Sequence, residues 1–152
     1  YTGMTPQDFY NFVMEKADAI GLDKSRIFLG GDHLGPLTFV GNDEAKAMEL
    51  AEELVRCYVA AGFTKIHIDT SMKVASDDPN TRLSDEIIAA RGARLVRVCE
   101  DTYQELLKTN PDAIHPVYIR RKRSTDSRWS TGRKCRYAGN SCRRFQSNRC
   151  RI

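Results

Sequence analysis

The 152-residue sequence predicts an α/β fold built on a parallel sheet. Three helical patterns alternate with short apolar runs, and most of the intervening loops are only a few residues long. Such alternation is typical of right-handed βαβ units, in which each helix returns the chain to begin another parallel strand. A doubly wound sheet and a closed barrel both fit this order of elements, so the residues at the strand ends must separate them.

Three segments carry the start signals and the apolar stripe of a helix. They run from Thr5 to Ile20, from Asn42 to about Ala61 and from Ser84 to about Leu107. Thr5 is followed by a proline and then by an acid in the first turn, which are three independent helix-start signals. Gly21 and Gly62 follow the first two helices, where glycine commonly ends a helix. Gly92 weakens the prediction of the third helix.

Three short apolar runs predict strands that end in polar residues. They are Arg26–Gly31, Lys65–Asp69 and a run that begins at Ala113 and reaches Tyr118. Asp32 and His33 follow the first run, and Thr70 and Ser71 follow the second. The C-terminal ends of barrel strands jointly supply the site of a (β/α)₈ barrel, whereas a dinucleotide fold needs a G-x-G-x-x-G turn that is missing here. We therefore expect part of a TIM-type barrel.

Asp32 and His33 are the first candidates for chemistry. They lie between glycines, and Gly35 allows the backbone to approach a ligand closely. In chemistry next to a carbonyl, such a pair can supply an acid/base, Asp32, and a metal ligand, His33. A structural alternative is that Asp32 caps the following loop with His33 hydrogen-bonded beside it.

The second strand offers further candidates. His67 and Asp69 alternate onto one strand face, so both can look into a barrel interior. Asp69 is a second candidate catalytic acid, while His67 is more simply explained as a satisfied core histidine. Ser71 is a candidate donor to a substrate phosphate, although a loop serine more often caps a turn.

Cysteines and hydropathy indicate the compartment. Cys57 and Cys99 lie in helical apolar stretches, where a free thiol behaves as a small hydrophobe. The five cysteines include no C-x-x-C pair, and no run approaches the roughly 18 apolar residues of a membrane span. These features predict a cytoplasmic protein without a membrane partner.

Charge divides the sequence at residue 118. Residues 1–118 contain 12 Lys and Arg against 19 Asp and Glu, whereas residues 119–152 contain 12 against 1. The second part also has no Leu, Val or Met, which is incompatible with another barrel repeat. We expect a partial barrel over residues 1–118 and a disordered basic tail over 119–152. Binding of nucleic-acid phosphates by this tail is an alternative function.

Three blocks together resemble a known family. They are Tyr1–Pro6 (YTGMTP), Gly30–Pro36 (GGDHLGP) and Ala61–Met72 (AGFTKIHIDTSM). In order and spacing they resemble the accessory subunits of class II D-tagatose-1,6-bisphosphate aldolase. The resemblance implies a TIM-type barrel whose first strand and later units lie outside this sequence.

The resemblance also implies a function. In that family the partner catalytic subunit uses zinc to cleave tagatose bisphosphate to dihydroxyacetone phosphate and glyceraldehyde 3-phosphate, in galactitol or N-acetylgalactosamine breakdown. The accessory subunit is described as non-catalytic and as stabilising its partner. Its Asp-His pair is similar to that of true class II aldolases, so a metal-dependent aldolase or ketose-phosphate 4-epimerase is the alternative.

The basic tail has an explanation in the reading frame. Codons exist for Arg121 to Trp129 that, read one base later, encode Gly-Ser-Glu-Val-Pro-Ile-Pro-Gly-Gly. That string resembles the next strand and glycine-rich loop of the same family. We therefore expect residues 119–152 to be an out-of-frame translation, and this explanation argues against nucleic-acid binding as the purpose of the tail.

Overall fold

A computed structural model of the protein describes residues 3–120. These residues form three α-helices and three parallel strands in alternating order, with two short 3₁₀ helices. The elements are α1 (Pro6–Ala19), a 3₁₀ helix (Lys24–Arg26), β1 (Gly30–Leu34), a 3₁₀ helix (Pro36–Phe39), α2 (Glu44–Ala60), β2 (Lys65–Ile68), α3 (Asp85–Thr109) and β3 (Val117–Arg120). The predicted α/β class is confirmed, whereas the basic tail lies outside the described residues.

Side chains cap all three helices at their N-termini. Thr5 caps α1, as the sequence predicted, and the structure adds a reciprocal capping box between Thr5 and Asp8. Ser84 caps α3. The prediction that Asn42 caps α2 was wrong by one residue. Asp43 accepts the hydrogen bond from the Lys46 backbone N–H, because the Asn42 amide instead donates to the carbonyl of Phe39.

The first strand begins later than predicted and includes the candidate residues. Lys24–Arg26 is a 3₁₀ turn capped by Asp23, and pairing with β2 starts only at Gly30. The strand then continues through Asp32 and His33 to Leu34. The apolar run suggested a strand over 26–31, but its first residues connect the turn to the sheet.

The third strand also begins later than predicted. The Ala113 N–H donates to the carbonyl of Asn110 in a turn, and Pro116 has no N–H to offer a neighbouring strand. Parallel pairing with β2 therefore runs from Val117 to Arg120, and the strand order is β1-β2-β3.

The helices cover one face of the sheet. Ile66 and Ile68 of β2 are buried in a cluster with Met48, Val55 and Leu95 of α2 and α3. Side chains of the alternate positions lie on the opposite face, where Val117 and Ile119 are 63% and 43% exposed. We call this the bare face; it carries Gly30, Asp32, Lys65, His67, Val117 and Ile119.

Gly92 lies inside α3 and does not interrupt it. The residue is buried, and a Cβ there would come within 3.5 Å of the Thr70 hydroxyl oxygen, which donates to the Ile88 carbonyl at 2.8 Å. A Cβ at this distance would make an ordinary van der Waals contact, so the end of β2 packs against the helix here without requiring glycine.

The two described cysteines differ in environment. Cys99 is buried as predicted, and burial raises the pKa of its thiol to about 12. Cys57 is exposed, so the prediction of an apolar environment was wrong for this residue, which lies beside Glu53 on the outer side of α2. Across residues 3–120, no helix is long and apolar enough to cross a membrane.

Candidate functional site

A bulge in β1 turns the Asp32-His33 pair toward solvent. Gly31 pairs with Ile66 and Leu34 with Ile68, so β1 has one residue more than β2 between these partners. His33 adopts a positive φ of 55° within this bulge. As a result, two consecutive residues are exposed while Leu34 returns to the core. Bulges commonly redirect side chains in this way beside functional sites.

Asp32 is held on the bare face by two side chains of β2. The Lys65 ammonium donates to Asp32 Oδ1, and His67 Nδ1 lies 3.3 Å from the same oxygen. The hydrogen bond from Lys65 lowers the pKa of Asp32 more than any other contact does. The carboxylate is therefore ionised and already paired with a cation.

Gly30 makes room for this ion pair. Gly30 is the register partner of Lys65, and a Cβ on it would lie 2.7 Å from Lys65 Cδ. The lysine stem consequently passes over Gly30 to reach Asp32, two residues further along β1. A larger residue at this position would therefore force the lysine side chain to take another direction.

His33 and His67 bring two imidazoles together. Their ring centroids are 4.7 Å apart, at an interplanar angle of 59°. The His67 side chain is only 14% exposed, against 58% for Asp32. The His67 ring is therefore largely buried and has a polar partner in Asp32, as expected of a satisfied histidine, but it lies on the bare face and not in the core that the helices cover.

Asp69 lies close to this group, but its carboxylate accepts hydrogen bonds from Ser71 in the loop that follows β2. Burial raises the pKa of its carboxyl, yet hydrogen bonds from the Ser71 hydroxyl and backbone N–H outweigh burial and hold it below the usual value. These bonds measure 2.6 and 3.0 Å, and the charges of His33 and His67 act in the same direction. Ser71 therefore caps a turn, which is the simpler of the two roles that the sequence suggested for it.

Gly35 has a packing role that the sequence did not indicate. A Cβ at this position would lie 2.1 Å from the backbone oxygen of Asp69. The chain after β1 thus contacts the end of β2 directly, through backbone alone. This contact positions both strand ends and accounts for the glycine without a ligand.

Arg91 joins the two loops that follow β1 and β2. Its guanidinium donates to Asp77 at 2.7 and 3.0 Å, and its Nε donates to Glu44 at 3.1 Å. Hydrogen bonds from Arg91 lower the pKa of both carboxyls, while the pKa of Arg91 is raised. The Ser76 hydroxyl also accepts from the Glu44 N–H, which adds a second link.

The sequence analysis did not identify Lys65, Gly30 or Arg91. Lys65 has the same parity as His67 along β2, which was a usable signal. Arg91 lies on the buried stripe of α3 with Ile88 and Leu95, and a charge in such a stripe requires partners. Its partners lie 14 and 47 residues away, so the pattern could not name them.

A zinc ion is the cofactor that an Asp-His pair suggests, and the described residues fit it poorly. In residues 3–120, no group of three or more His, Cys, Asp or Glu side chains is arranged to hold a metal. Asp32, the first candidate donor, is neutralised by Lys65. The chemistry available to the group is hydrogen bonding and proton exchange between a carboxylate, an ammonium and imidazoles.

A groove of about 340 Å³ lies at the opposite end of the sheet. Leu29, Thr64 and Pro116, which precede the three strands, line it together with Tyr10 and Tyr103. This groove is remote from the strand ends that carry Asp32 and Asp69. It therefore belongs to the packing between helices and the amino ends of the strands.

Comparison with known protein families shows which family the chain belongs to. A family model described as D-tagatose-1,6-bisphosphate aldolase subunit GatZ/KbaZ-like matches residues 1–120. The chain belongs to this GatZ/KbaZ-like family. The resemblance that the three sequence blocks indicated is thereby confirmed at the level of the family.

A solved structure is similar to this GatZ/KbaZ-like chain. It is the crystal structure of a probable tagatose 6 phosphate kinase from Sinorhizobium meliloti 1021, with 45% sequence identity and a TM-score of 0.67. The match covers 79% of this chain and 28% of that one. The chain thus spans just over a quarter of the length of that relative.

Proposed function

We propose that this chain is part of an accessory subunit that stabilises the zinc-dependent catalytic subunit of D-tagatose-1,6-bisphosphate aldolase. The observation that carries this proposal is the family match over residues 1–120. The catalytic partner then supplies the metal and cleaves the sugar bisphosphate to the two triose phosphates, in galactitol or N-acetylgalactosamine breakdown in the cytoplasm.

The geometry of the strand ends supports a non-catalytic role. A general base must be free to take a proton, and its pKa must lie near the working pH. Asp32 is instead bound by Lys65, with its pKa lowered, and Asp69 is bound by Ser71. Both of the predicted catalytic carboxylates are therefore occupied by neighbours within the chain.

The bare face supports a barrel as the complete fold. The buried side chains of β1 and β2, and the partly buried Tyr118 of β3, lie on the face that α2 and α3 cover. In a doubly wound sheet helices cover both faces, whereas in a barrel they cover only the outer one. On this proposal the bare face is the interior of a TIM-type barrel, which the rest of the subunit closes.

A phosphorylated ketose is the proposed substrate class. The family description and that of the solved relative both concern a phosphate of tagatose. Gly35 and Ser71 were predicted to bind it, and both lie at the strand ends where a barrel holds its ligand. Ser71 would have to exchange its bond to Asp69 for a phosphate oxygen.

Turnover without the partner separates the accessory role from an enzyme in its own right. A full-length, in-frame chain should be assayed alone for tagatose-bisphosphate cleavage and ketose-phosphate 4-epimerisation, with and without zinc. We expect no turnover above that of the Asp32→Ala variant. Zinc-dependent turnover that Asp32→Ala abolishes would replace the accessory role with the enzymatic alternative.

A further inference from the structure

We propose that the ammonium of Lys65 is a built-in counter-cation for Asp32 and His67, so that this chain does not take up the divalent metal that its Asp-His pair suggests. The inference concerns the chain by itself and does not depend on the accessory function. It concerns an Asp-His pair that resembles a metal-binding pattern but has a lysine ammonium bound to its carboxylate.

The spacing of Asp32 and His67 is that of two metal ligands. Zinc bonds to carboxylate oxygen and imidazole nitrogen at about 2.0 to 2.2 Å, so two ligands at a tetrahedral angle lie about 3.3 Å apart. Asp32 Oδ1 and His67 Nδ1 are 3.3 Å apart. The His33 ring packs beside His67, with centroids 4.7 Å apart, but in residues 3–120 no third side chain completes a metal-binding group.

Lys65 takes the position of the cation on this pair. Its ammonium is bound to the oxygen that faces His67, the same Oδ1 that a bridging metal would need. A second positive charge at that oxygen would be repelled by the ammonium. The divalent ion would have to displace a lysine that is already hydrogen-bonded.

The backbone is arranged for this lysine. Gly30 is the register partner of Lys65, and its lack of a side chain leaves space for the lysine methylene groups. A Cβ at Gly30 would lie 2.7 Å from Lys65 Cδ. Asp32 alternates with Gly30 onto the strand face of Lys65 and His67. The backbone at Gly30 therefore accommodates the ion pair between Lys65 and Asp32.

Cobalt(II) titration of the purified chain tests the inference, with absorbance of the bound ion as the readout. The wild-type chain is expected to show no stoichiometric uptake at micromolar cobalt. Lys65→Gln, which keeps most of the stem and removes the charge, is expected to bind at least about tenfold more tightly. The added variant His67→Ala should abolish that gain.

Two control variants make the outcome specific. Lys65→Arg keeps a cation at the site and should behave as the wild type. If Lys65→Gln does not fold, stoichiometric uptake by the wild type still decides against the inference. Lys73→Gln removes an exposed lysine whose ammonium bonds to the Pro79 carbonyl and should change nothing. Stoichiometric uptake by the wild type that Asp32→Ala abolishes would overturn the inference, as would a folded Lys65→Gln without any gain.

Discussion

Arg91 donates two hydrogen bonds to the carboxylate of Asp77, at 2.7 and 3.0 Å, while its side chain is only 2% exposed. Glu44, at the first turn of α2, forms an ion pair with the same guanidinium. One buried arginine in α3 thereby fixes the loop after β2 and the start of the helix after β1. The geometry of both strand ends depends on this contact.

Replacing Arg91 by methionine is expected to lower the free energy of unfolding by about 3 to 5 kcal/mol. Removing one partner of a buried ion pair leaves an uncompensated charge, here that of Asp77, which is 10% exposed. Arg94→Met is the matched control, one turn further along α3, because its side chain is 50% exposed and its pair with Glu52 should contribute about 1 kcal/mol. Urea unfolding of both variants measures the difference, and equal effects would contradict this role for Arg91.

Stability should fall in acid through the same network. The pKa values of Asp77 and Glu44 are lowered in the folded chain, so their stabilisation is complete above their ordinary values near 4. It is lost as the pH falls through the lowered values, because the folded state must then take up protons. Asp77→Asn should reduce the change of the urea midpoint with pH between pH 5 and about 2. Asp101→Asn, which changes an exposed residue, should not. A wild-type slope retained in Asp77→Asn would contradict the assignment.

Gly35→Ala is expected to destabilise the chain by about 3 kcal/mol. The new methyl group would overlap the backbone oxygen of Asp69 at 2.1 Å, and relief requires movement of the end of β2. Gly41→Ala is the control, because nothing lies within 4 Å of a Cβ there. Thermal unfolding followed by circular dichroism distinguishes them, and a Gly35→Ala variant as stable as Gly41→Ala would show that the contact is easily relaxed.

The gene sequence across codons 115 to 125 tests the origin of the basic tail. We expect a one-base change of frame near Ile119, after which the other frame encodes a Glu-Val-Pro-x-Pro-Gly-Gly string. The family match ends at residue 120, next to the predicted boundary. Codons that cannot yield this string in any frame would exclude the frame change. The tail would then be a genuine basic segment of the protein.

Local sequence signals predicted the helices and strands. The predicted ends of these elements were wrong where tertiary contacts determine them. The caps at Thr5 and Ser84 lie within three residues of their partners, so the sequence suffices to identify them. The start of β1 depends on pairing with Lys65, 35 residues away, which no local apolar run encodes. The predicted strand, which began at Arg26, therefore started four residues too early.

The sequence located the candidate residues at a strand end but did not predict their contacts. Asp32 and His33 lie at the expected strand end, but the bulge that exposes both is a property of the register between β1 and β2. The pairing of Asp32 with Lys65 depends on the same register. A carboxylate that looked available for catalysis was thus already bound to a lysine on the next strand.

The stability of the catalytic aldolase subunit tests the central claim most directly. Its half-life of tagatose-bisphosphate cleavage at a fixed, elevated temperature should be measured alone and with an equimolar full-length, in-frame chain of this family member. We predict a half-life at least several-fold longer with the chain, for the wild type and for Asp32→Ala alike, because the role does not require that carboxylate. An unchanged half-life and no complex by size-exclusion chromatography would contradict the accessory function.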